Sequence, residues 1–151
     1  MIAIEISCKH IVGIRVNRLT TNESCVFGNT ESGPFSVDAV FSRDDGRTWN
    51  SRRRIHTASN EREAGSPDVI NVSDTLVVPF MTNEDTDSPK IDGGEMKAVT
   101  SSNGGGNWSG STATGSAESH WAGLLSLSLT EFLALYARNG HGLVSQKYLA
   151  E

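Results

Sequence analysis

Histidine and cysteine, the side chains that most often bind metals or act as nucleophiles, are spaced in this chain without a recognisable motif. His10, His56 and His141 lack metal-ligand spacing, and Cys8 and Cys25 are too few for a disulfide framework. The two cysteines could pair or remain free thiols. Glycine-rich runs stand in hairpin-like surroundings instead of before a helix, so no phosphate-binding loop is predicted. The sequence predicts neither a metal nor a cofactor.

The elements that must position any reactive group are predicted to be short strands and turns. The chain has 151 residues, 15 glycines and many Ser, Thr, Asn and Asp between short apolar runs, which indicates an all-β fold. A formal net charge of −5 gives no basic stripe for nucleic acid. The one cationic cluster, Arg52 to Arg54, is predicted to lie on a solvated outer strand. No stretch approaches membrane-spanning length, and the start MIAIEISCKHIVGI lacks the pattern of an export signal.

One segment has a clear turn-forming pattern. It reads SRDDGRTW and has the form S-x-D-x-G-x-T-W. The serine hydroxyl and the aspartate carboxylate are expected to bind backbone N–H groups of a tight turn, while glycine supplies a positive φ. The final tryptophan is expected to anchor the next strand by burying ~150–250 Å². The fixed positions are Ser42, Asp44, Gly46, Thr48 and Trp49.

A second copy of the pattern reads SSNGGGNW. Its asparagines replace the aspartate and the threonine of the first copy, and an asparagine side-chain carbonyl can still accept the turn hydrogen bonds. The matching positions are Ser101, Asn103, Gly105 and Trp108. Both segments resemble the Asp-box, or BNR repeat, of the sialidase superfamily of β-propellers. The resemblance implies that both sets of residues are structural.

The chain also contains an internal repeat. Leu19, Leu76 and Leu133 fall 57 residues apart, each in comparable apolar surroundings. A later strand of each unit reads SVDAVFS, EMKAVTS and LVSQKYL, and the first two run straight into the Asp-box turns. Each unit is predicted to supply about four antiparallel strands, which make one propeller blade.

The predicted blades do not complete a ring. They span residues 10–50, 64–109 and 120–149, which amount to two and a half to three blades within a partial propeller covering 1–151. A closed propeller needs at least about four blades. The sequence therefore predicts the C-terminal half of a six-bladed propeller, whose open blade faces could associate with another copy of the chain.

A narrower resemblance comes from two longer segments, AGSPDVINVSDTLVVPFMTNED and HWAGLLSLSLTEFLALYARNG. They are similar to later blades of fungal sialidase-like proteins of the glycoside hydrolase family 93, or exo-arabinanase, type. The resemblance implies a secreted hydrolase of terminal glycosidic bonds in a polysaccharide such as arabinan. A carbohydrate would bind at the central funnel.

Glycosidases of this kind use two carboxyl groups, one protonated and one ionised. The resemblance implies acidic residues after inner strands, and Glu84 and Glu23 are the predicted pair. Arg15 and Arg62 are candidates for binding substrate through the guanidinium fork, and Trp121 for stacking on a sugar ring. The alternative is that the two glutamates are ordinary solvated loop acids.

Two other functions stay open. A non-catalytic propeller would bind glycans or proteins with the same scaffold. An exo-α-sialidase would need three clustered arginines for the sialic acid carboxylate, and no pattern in the sequence supplies all three.

Overall fold

The computed structural model describes residues 11–18, 23–29, 35–44, 47–59, 62–115 and 118–149. Over residues 11–18, 23–29, 50–51 and 120–122, and at Asp92, the backbone alone is described. Cys8, His10, Leu19 and Gly46 lie outside the described residues.

The described chain is all-β and forms three antiparallel sheets in sequence order. The first sheet comprises β1 (Ile11–Arg18), β2 (Glu23–Asn29), β3 (Ser36–Ser42) and β4 (Asn50–Thr57). The middle sheet comprises β5 (Ala64–Gly65), β6 (Ile70–Val72), β7 (Thr75–Thr82), β8 (Glu95–Ser101) and β9 (Thr112–Ala113), with a 3₁₀ turn at Ile91–Gly93. The third sheet comprises β10 (Ser119–Ser126), β11 (Glu131–Arg138) and β12 (Gly142–Leu149).

The strands follow one another in the first sheet, in the order β1-β2-β3-β4, and in the third sheet, in the order β10-β11-β12. In the middle sheet β7 pairs with β8, β8 pairs with β9, and the short strands β5 and β6 both pair with β7.

Two short strands, β5 and β6, pair with the same edge of β7, and a proline in β7 separates them. Pro79 lies in the centre of β7, and its carbonyl accepts a 3.1 Å hydrogen bond from the Asp68 N–H. Its nitrogen faces the same side but has no proton to donate. A regular ladder cannot continue past this point, so the chain between Gly65 and Ile70 leaves the sheet.

The middle sheet is buried on both faces. Toward the first sheet, Val78 and Phe80 pack with Val37 and Ala39 in one core. Toward the third sheet, two further cores join residues of β6, β7 and β8 to the aromatic residues of β11. This explains why TLVVPFMT is apolar at consecutive positions, as expected of a strand covered on both sides.

The strands of the third sheet alternate instead. In β11 the side chains of Phe132, Ala134 and Tyr136 are buried, and the residues between them are only partly covered. The 57-residue register predicted from leucine spacing is therefore wrong, because Leu76 is buried against the first sheet whereas Leu133 lies on the uncovered face of its own sheet. β7 begins at Thr75 and β11 at Glu131, one residue short of that spacing. A shift of one residue moves a side chain to the other face.

The turn at 42–49 is held by side-chain hydrogen bonds. The Asp44 carboxylate accepts bonds from the Ser42 hydroxyl at 2.8 Å, the Thr48 N–H at 2.8 Å and the Thr48 hydroxyl at 2.6 Å. These donors lower the pKa of Asp44 to about 2, the Thr48 hydroxyl contributing most. Trp49 is half-buried.

The turn at 101–108 has corresponding bonds. The Ser101 hydroxyl accepts from the Gly105 N–H at 2.9 Å, and the Asn103 side-chain oxygen accepts from the Asn107 N–H at 2.8 Å. Gly105 has a φ of +84°, and a Cβ there would lie 2.3 Å from the Phe41 ring of the first sheet. Trp108 packs against the core between the first and middle sheets. This turn therefore also joins the two sheets.

The strand Asn50–Thr57 carries the predicted arginine cluster, and all three side chains are exposed. Arg52 and Arg54 pair with the buried carboxylate of Asp38. Arg53 donates to the Gly105 carbonyl of the second turn at 2.8 Å. The cluster is solvated as predicted, and it also neutralises a buried acid.

The core between the first and middle sheets can be tested through Phe80, which is fully buried and stacks on the His56 ring. Phe80→Ala is expected to lower the free energy of unfolding by about 3–5 kcal/mol, because it leaves a cavity between two sheets. Leu129→Ala, at a turn where the side chain is 83% exposed, is the control and should change it by less than about 0.5 kcal/mol. Urea titration measures both values. Equal effects of the two substitutions would contradict the packing described here.

The hydrogen bonds of the first turn predict a titration. A carboxyl whose pKa is lowered by folding contributes stability above its unfolded pKa, and that contribution is lost as the pH falls through its folded pKa. For Asp44 this window runs from its ordinary value of 3.8 down to about 2. Thr48→Val removes the strongest donor and should raise the pKa of Asp44 toward 3.8. NMR titration of the side-chain carboxyl measures this, with Thr57→Val, at the far end of β4, as the control that should leave it unchanged.

Candidate functional site

The first and middle sheets have two chemically different ends. β3 and β8 run into the tryptophan-containing turns at Ser42 and Ser101, and we call this the turn end. β7 ends at Thr82 and β8 begins at Glu95 on the opposite side, which we call the loop end. The two sheets are oriented alike, since Gly105 meets Phe41 at the turn end while β4 reaches the loop of the middle sheet at the other.

The predicted catalytic pair is separated by this geometry. Glu84 lies in the loop directly after β7, as the sequence predicts. Glu23 is the first residue of β2 and pairs with Ser42 at the turn end. The prediction placed Glu23 after a strand, but β1 already ends at Arg18 and Glu23 begins the next strand. The structure therefore does not bring Glu23 and Glu84 together.

Glu84 connects two sheets. Its Oε2 lies 2.8 Å from His56 Nε2 on β4, and its Oε1 accepts a 2.8 Å bond from the Ser59 N–H. The Thr82 hydroxyl donates to the same carboxylate at 3.2 Å. The side chain is 11% exposed, so the alternative of an ordinary solvated loop acid is wrong for Glu84.

Lys97 places one cation among three carboxylates. Its Nζ lies 2.6 Å from Asp85 Oδ2, 3.6 Å from Glu95 Oε1 and 3.7 Å from Glu84 Oε2. Burial of the lysine acts to lower its pKa, but the hydrogen bond to Asp85 and the charges of the three carboxylates outweigh burial and raise the pKa. The Lys97 ammonium therefore remains charged and pairs with all three carboxylates.

The carboxyl groups around Lys97 are shifted in opposite directions. Burial raises the pKa of Glu95, and the nearby Lys97 opposes this only in part. Glu95 Oε1 is buried and has no hydrogen-bond partner. The hydrogen bond from Lys97 lowers the pKa of Asp85, which is the exposed member of the group. Acids whose pKa values are driven apart can serve as proton donor and as ionised carboxylate in one site.

The loop that carries Glu84 is braced by buried polar groups. Asn83 is fully buried, and its side-chain oxygen accepts from the Glu63 N–H at 2.7 Å. The predicted binding residue Arg62 donates to the Ser88 carbonyl at 2.9 Å, and Glu63 accepts from the Ile91 N–H at 2.6 Å. Arg62 thus lies beside this loop and helps to fix its course.

For Arg15 and Trp121, the other two predicted binding residues, the backbone alone is described. Arg15 lies in β1 and pairs with Val26. Trp121 lies within β10, at the register shift between His120 and Gly123, and not before the strand as predicted. Neither is brought to Glu84 by a described contact.

Sequence reasoning missed His56, Glu95 and Lys97. In EMKAVTS the glutamate and the lysine alternate with apolar residues, a pattern typical of a solvated strand face. The sequence feature that could have pointed to this cluster is the polar run TNED at the end of a buried strand, because buried polar side chains need hydrogen-bond partners nearby.

Among the described residues, no three His, Cys, Asp or Glu side chains are grouped so that they could hold a metal ion. No helix in the described part of the chain is long and apolar enough to cross a membrane.

Comparison with solved structures finds strong fold similarity at low sequence identity. An α-L-arabinofuranosidase from Fusarium graminearum, solved with an iminosugar inhibitor, matches with a TM-score of 0.62 and 14% identity over 83% of this chain. The GH93 α-L-arabinofuranosidase of Fusarium graminearum, in complex with arabinobiose, matches with a TM-score of 0.55 and 14% identity over 83% of this chain. A sialidase described as a Hadza microbial sialidase matches with a TM-score of 0.59 and 11% identity over 89% of this chain.

These neighbours have sialidase-like propeller folds, and the predicted resemblance to that fold is confirmed. The match spans 40% of each of the two arabinofuranosidase chains and 34% of the sialidase chain. No family model matches the sequence, and no curated protein matches it.

The environment of Glu95 predicts a dependence of stability on pH. A carboxyl with a raised folded pKa binds more protons when folded, so its contribution is present at low pH and is lost as the pH rises through the folded pKa, above 4.5. Glu95→Gln removes this loss, and the variant should become more stable relative to wild type as the pH rises from 4 to 8. Thermal unfolding across this range measures the difference. Glu118→Gln, on an exposed residue, is the control and should follow the wild-type profile.

Proposed function

We propose that this chain is part of a sialidase-like propeller glycosidase that hydrolyses terminal glycosidic bonds of a polysaccharide such as arabinan. The observation that supports it is the cluster of Glu84, Glu95 and Lys97 at the loop end of the middle sheet. The three sheets are taken as successive blades, and the first two then extend beyond the limits of 50 and 109 expected from the sequence, to Thr57 at the end of β4 and to Ala113 at the end of β9. The neighbours' propeller fold supports this division.

The proposed chemistry assigns different roles to the two glutamates. Glu95, whose pKa is raised, is the acid that donates a proton to the departing glycosidic oxygen. Glu84, which accepts three hydrogen bonds, is the carboxylate that stabilises the positive charge developing at the anomeric carbon as the glycosidic bond breaks. A water molecule then adds to the anomeric carbon, and the proton that it loses returns to Glu95 and regenerates the acid. Because both lie near the same ammonium nitrogen, Lys97 fixes their separation. Glu95 thus replaces Glu23 in the proposed pair.

The proposed ligand is a carbohydrate held at the loop end. Arg62 retains guanidinium donors beyond its bond to Ser88, and Arg15 and Trp121 remain proposed binding residues. The solved neighbours are named as an arabinofuranosidase, one structure of which contains arabinobiose, and a sialidase. These names favour a sugar ligand and, by the same analogy, an extracellular location.

The activity can be tested directly on the chain. Linear arabinan is incubated with the protein, and released sugar is measured. Glu84→Gln and Glu95→Gln should each reduce release by roughly 100-fold or more, since one carboxyl role is lost in each. Glu118→Gln is the control and should retain full release. Release that is equal in all four proteins would contradict the assignment.

A non-catalytic glycan-binding propeller is the second candidate, and one observation favours it. The Glu84 carboxylate bonds to His56 of the first sheet and to the Ser59 N–H just after β4, so it also acts as a link between sheets. Binding of arabinan without release of sugar, measured by calorimetry on the same preparations, would support this candidate over the enzyme.

An exo-α-sialidase needs three arginines at one site, and it is less favoured because the three clustered arginines of β4 are engaged elsewhere. Arg52 and Arg54 pair with Asp38, while Arg53 donates to the backbone carbonyls of Gly105 and Gly106. Release of sialic acid from a sialoside in the same assay would favour it instead.

A further inference from the structure

The turns at 42–49 and 101–108 differ in how many of their polar groups they use. In the first turn the Thr48 hydroxyl donates to the Asp44 carboxylate at 2.6 Å, so both side chains are engaged. In the second turn Asn103 uses only its side-chain oxygen, which accepts from the Ser101 hydroxyl at 3.0 Å and from the Asn107 N–H at 2.8 Å. The second turn is therefore closed without the amide nitrogen of Asn103 and without the side chain of Asn107.

Polar groups thus remain available around the second turn. Within the part of the chain that the structure describes, the Asn103 amide nitrogen, the Asn107 side-chain amide and the Ser102 hydroxyl make no hydrogen bond. All three residues are exposed. An asparagine amide offers two donors and a carbonyl acceptor, and a hydroxyl both donates and accepts. The second turn therefore presents donors and acceptors to a ligand.

These groups line an open cleft of about 360 Å³ beside Trp108. Trp108 is half-buried, and it packs on the core between the first and middle sheets while also lining the cleft. The indole ring supplies a flat apolar surface that is held in place by this core. The cleft thus combines one fixed aromatic side chain with several hydrogen-bonding groups.

The cleft is neutral because the second turn has lost the charges of the first. Where the first turn reads RDDGR, the second reads SNGGG. All four charged residues are replaced, two of them by glycines that leave space around the turn. The described lining consists of threonine, serine, asparagine and tryptophan. Carboxylate and phosphate ligands are best bound by cationic side chains, which this lining does not contain, so a neutral ligand fits it better.

We propose that this cleft binds a neutral carbohydrate, with one sugar ring on Trp108 and sugar hydroxyls bonded to Asn103, Asn107 and Ser102. A sugar ring has C–H groups that pack on an aromatic surface and hydroxyls that both donate and accept hydrogen bonds. The cleft lies at the turn end, whereas the proposed catalytic glutamates lie at the loop end. It is therefore a separate binding site and does not rest on the proposed function.

Heteronuclear NMR on the full chain tests the proposal. Arabinotetraose and cellotetraose are the neutral probes, and trigalacturonic acid is the anionic probe. The side-chain amide signals of Asn103 and Asn107 are expected to shift with at least one neutral probe. The anionic probe should bind roughly 10-fold more weakly or not at all, because the lining offers no cation to its carboxylates.

The first turn supplies the substitutions for the matched variant. Asn103→Asp combined with Asn107→Thr gives the second turn the residues found at the corresponding positions of the first, and it keeps the oxygen that closes the turn. The available amides are removed, so binding should weaken by roughly 100-fold, about 10-fold for each hydrogen bond lost. Asn139→Asp adds the same charge at an exposed turn between β11 and β12, and this control should bind as wild type does.

Circular dichroism establishes that each variant is folded, and Asn107→Thr alone, with a loss of roughly 10-fold, replaces the double variant should the latter unfold. No shift with either neutral probe at high millimolar concentration overturns the proposal, as does equal binding by the double variant. Shifts confined to the backbone amides around Glu84 and Lys97 would also overturn this site while supporting the proposed function. The failure of one proposal is thereby distinguished from the failure of the other.

Discussion

Burial of the middle sheet on both faces is the constraint on which the rest of the structure depends. β7 must present apolar groups in both directions, so Val77 and Val78 point to different cores. Such a strand has no solvated face for polar residues. Polar groups are therefore concentrated where the strand ends, and there Glu84 and Lys97, whose side chains are little exposed, must find partners within the protein. The carboxylate and lysine cluster at the loop end is a consequence of the apolar strand beside it.

Two buried charges occupy corresponding positions in neighbouring sheets and are neutralised in different ways. Asp38 is paired by Arg52 and Arg54 from the adjacent strand of its own sheet, with Nη2 of Arg52 at 2.7 Å. Lys97 is paired by carboxylates, one of which, Glu84, also bonds to His56 of the first sheet. A charge buried without partners would cost several kcal/mol, so each position fixes the groups around it. In the middle sheet this requirement also fixes the contact between two sheets.

Part of this could be predicted from the sequence, and the limits have physical causes. The hydrogen bonds of the turns follow from short side chains acting on backbone groups only a few residues away, so a local pattern such as S-x-D-x-G-x-T-W is sufficient. The position of Glu23 depends on how many residues the preceding turn takes, which RLTTNES does not reveal. The face of Leu133 depends on register, where an error of one residue reverses the result. Lys97 could not be recognised because two of its partners, Glu84 and Asp85, lie in the loop after β7, and Glu84 is itself held by His56 of another sheet.

The two ends of the sheets also differ in how completely their polar groups are satisfied. At the turn end, Asp44 receives several hydrogen bonds from residues of its own turn, which stabilise the charged carboxylate and lower its pKa. Such a group has little remaining capacity to exchange a proton near neutral pH. At the loop end, burial raises the pKa of Glu95, and the Lys97 ammonium, 3.6 Å from Glu95 Oε1, opposes this only in part. A raised pKa suits a proton donor, so of the two ends the loop end holds the carboxyl group better suited to the acid role proposed above.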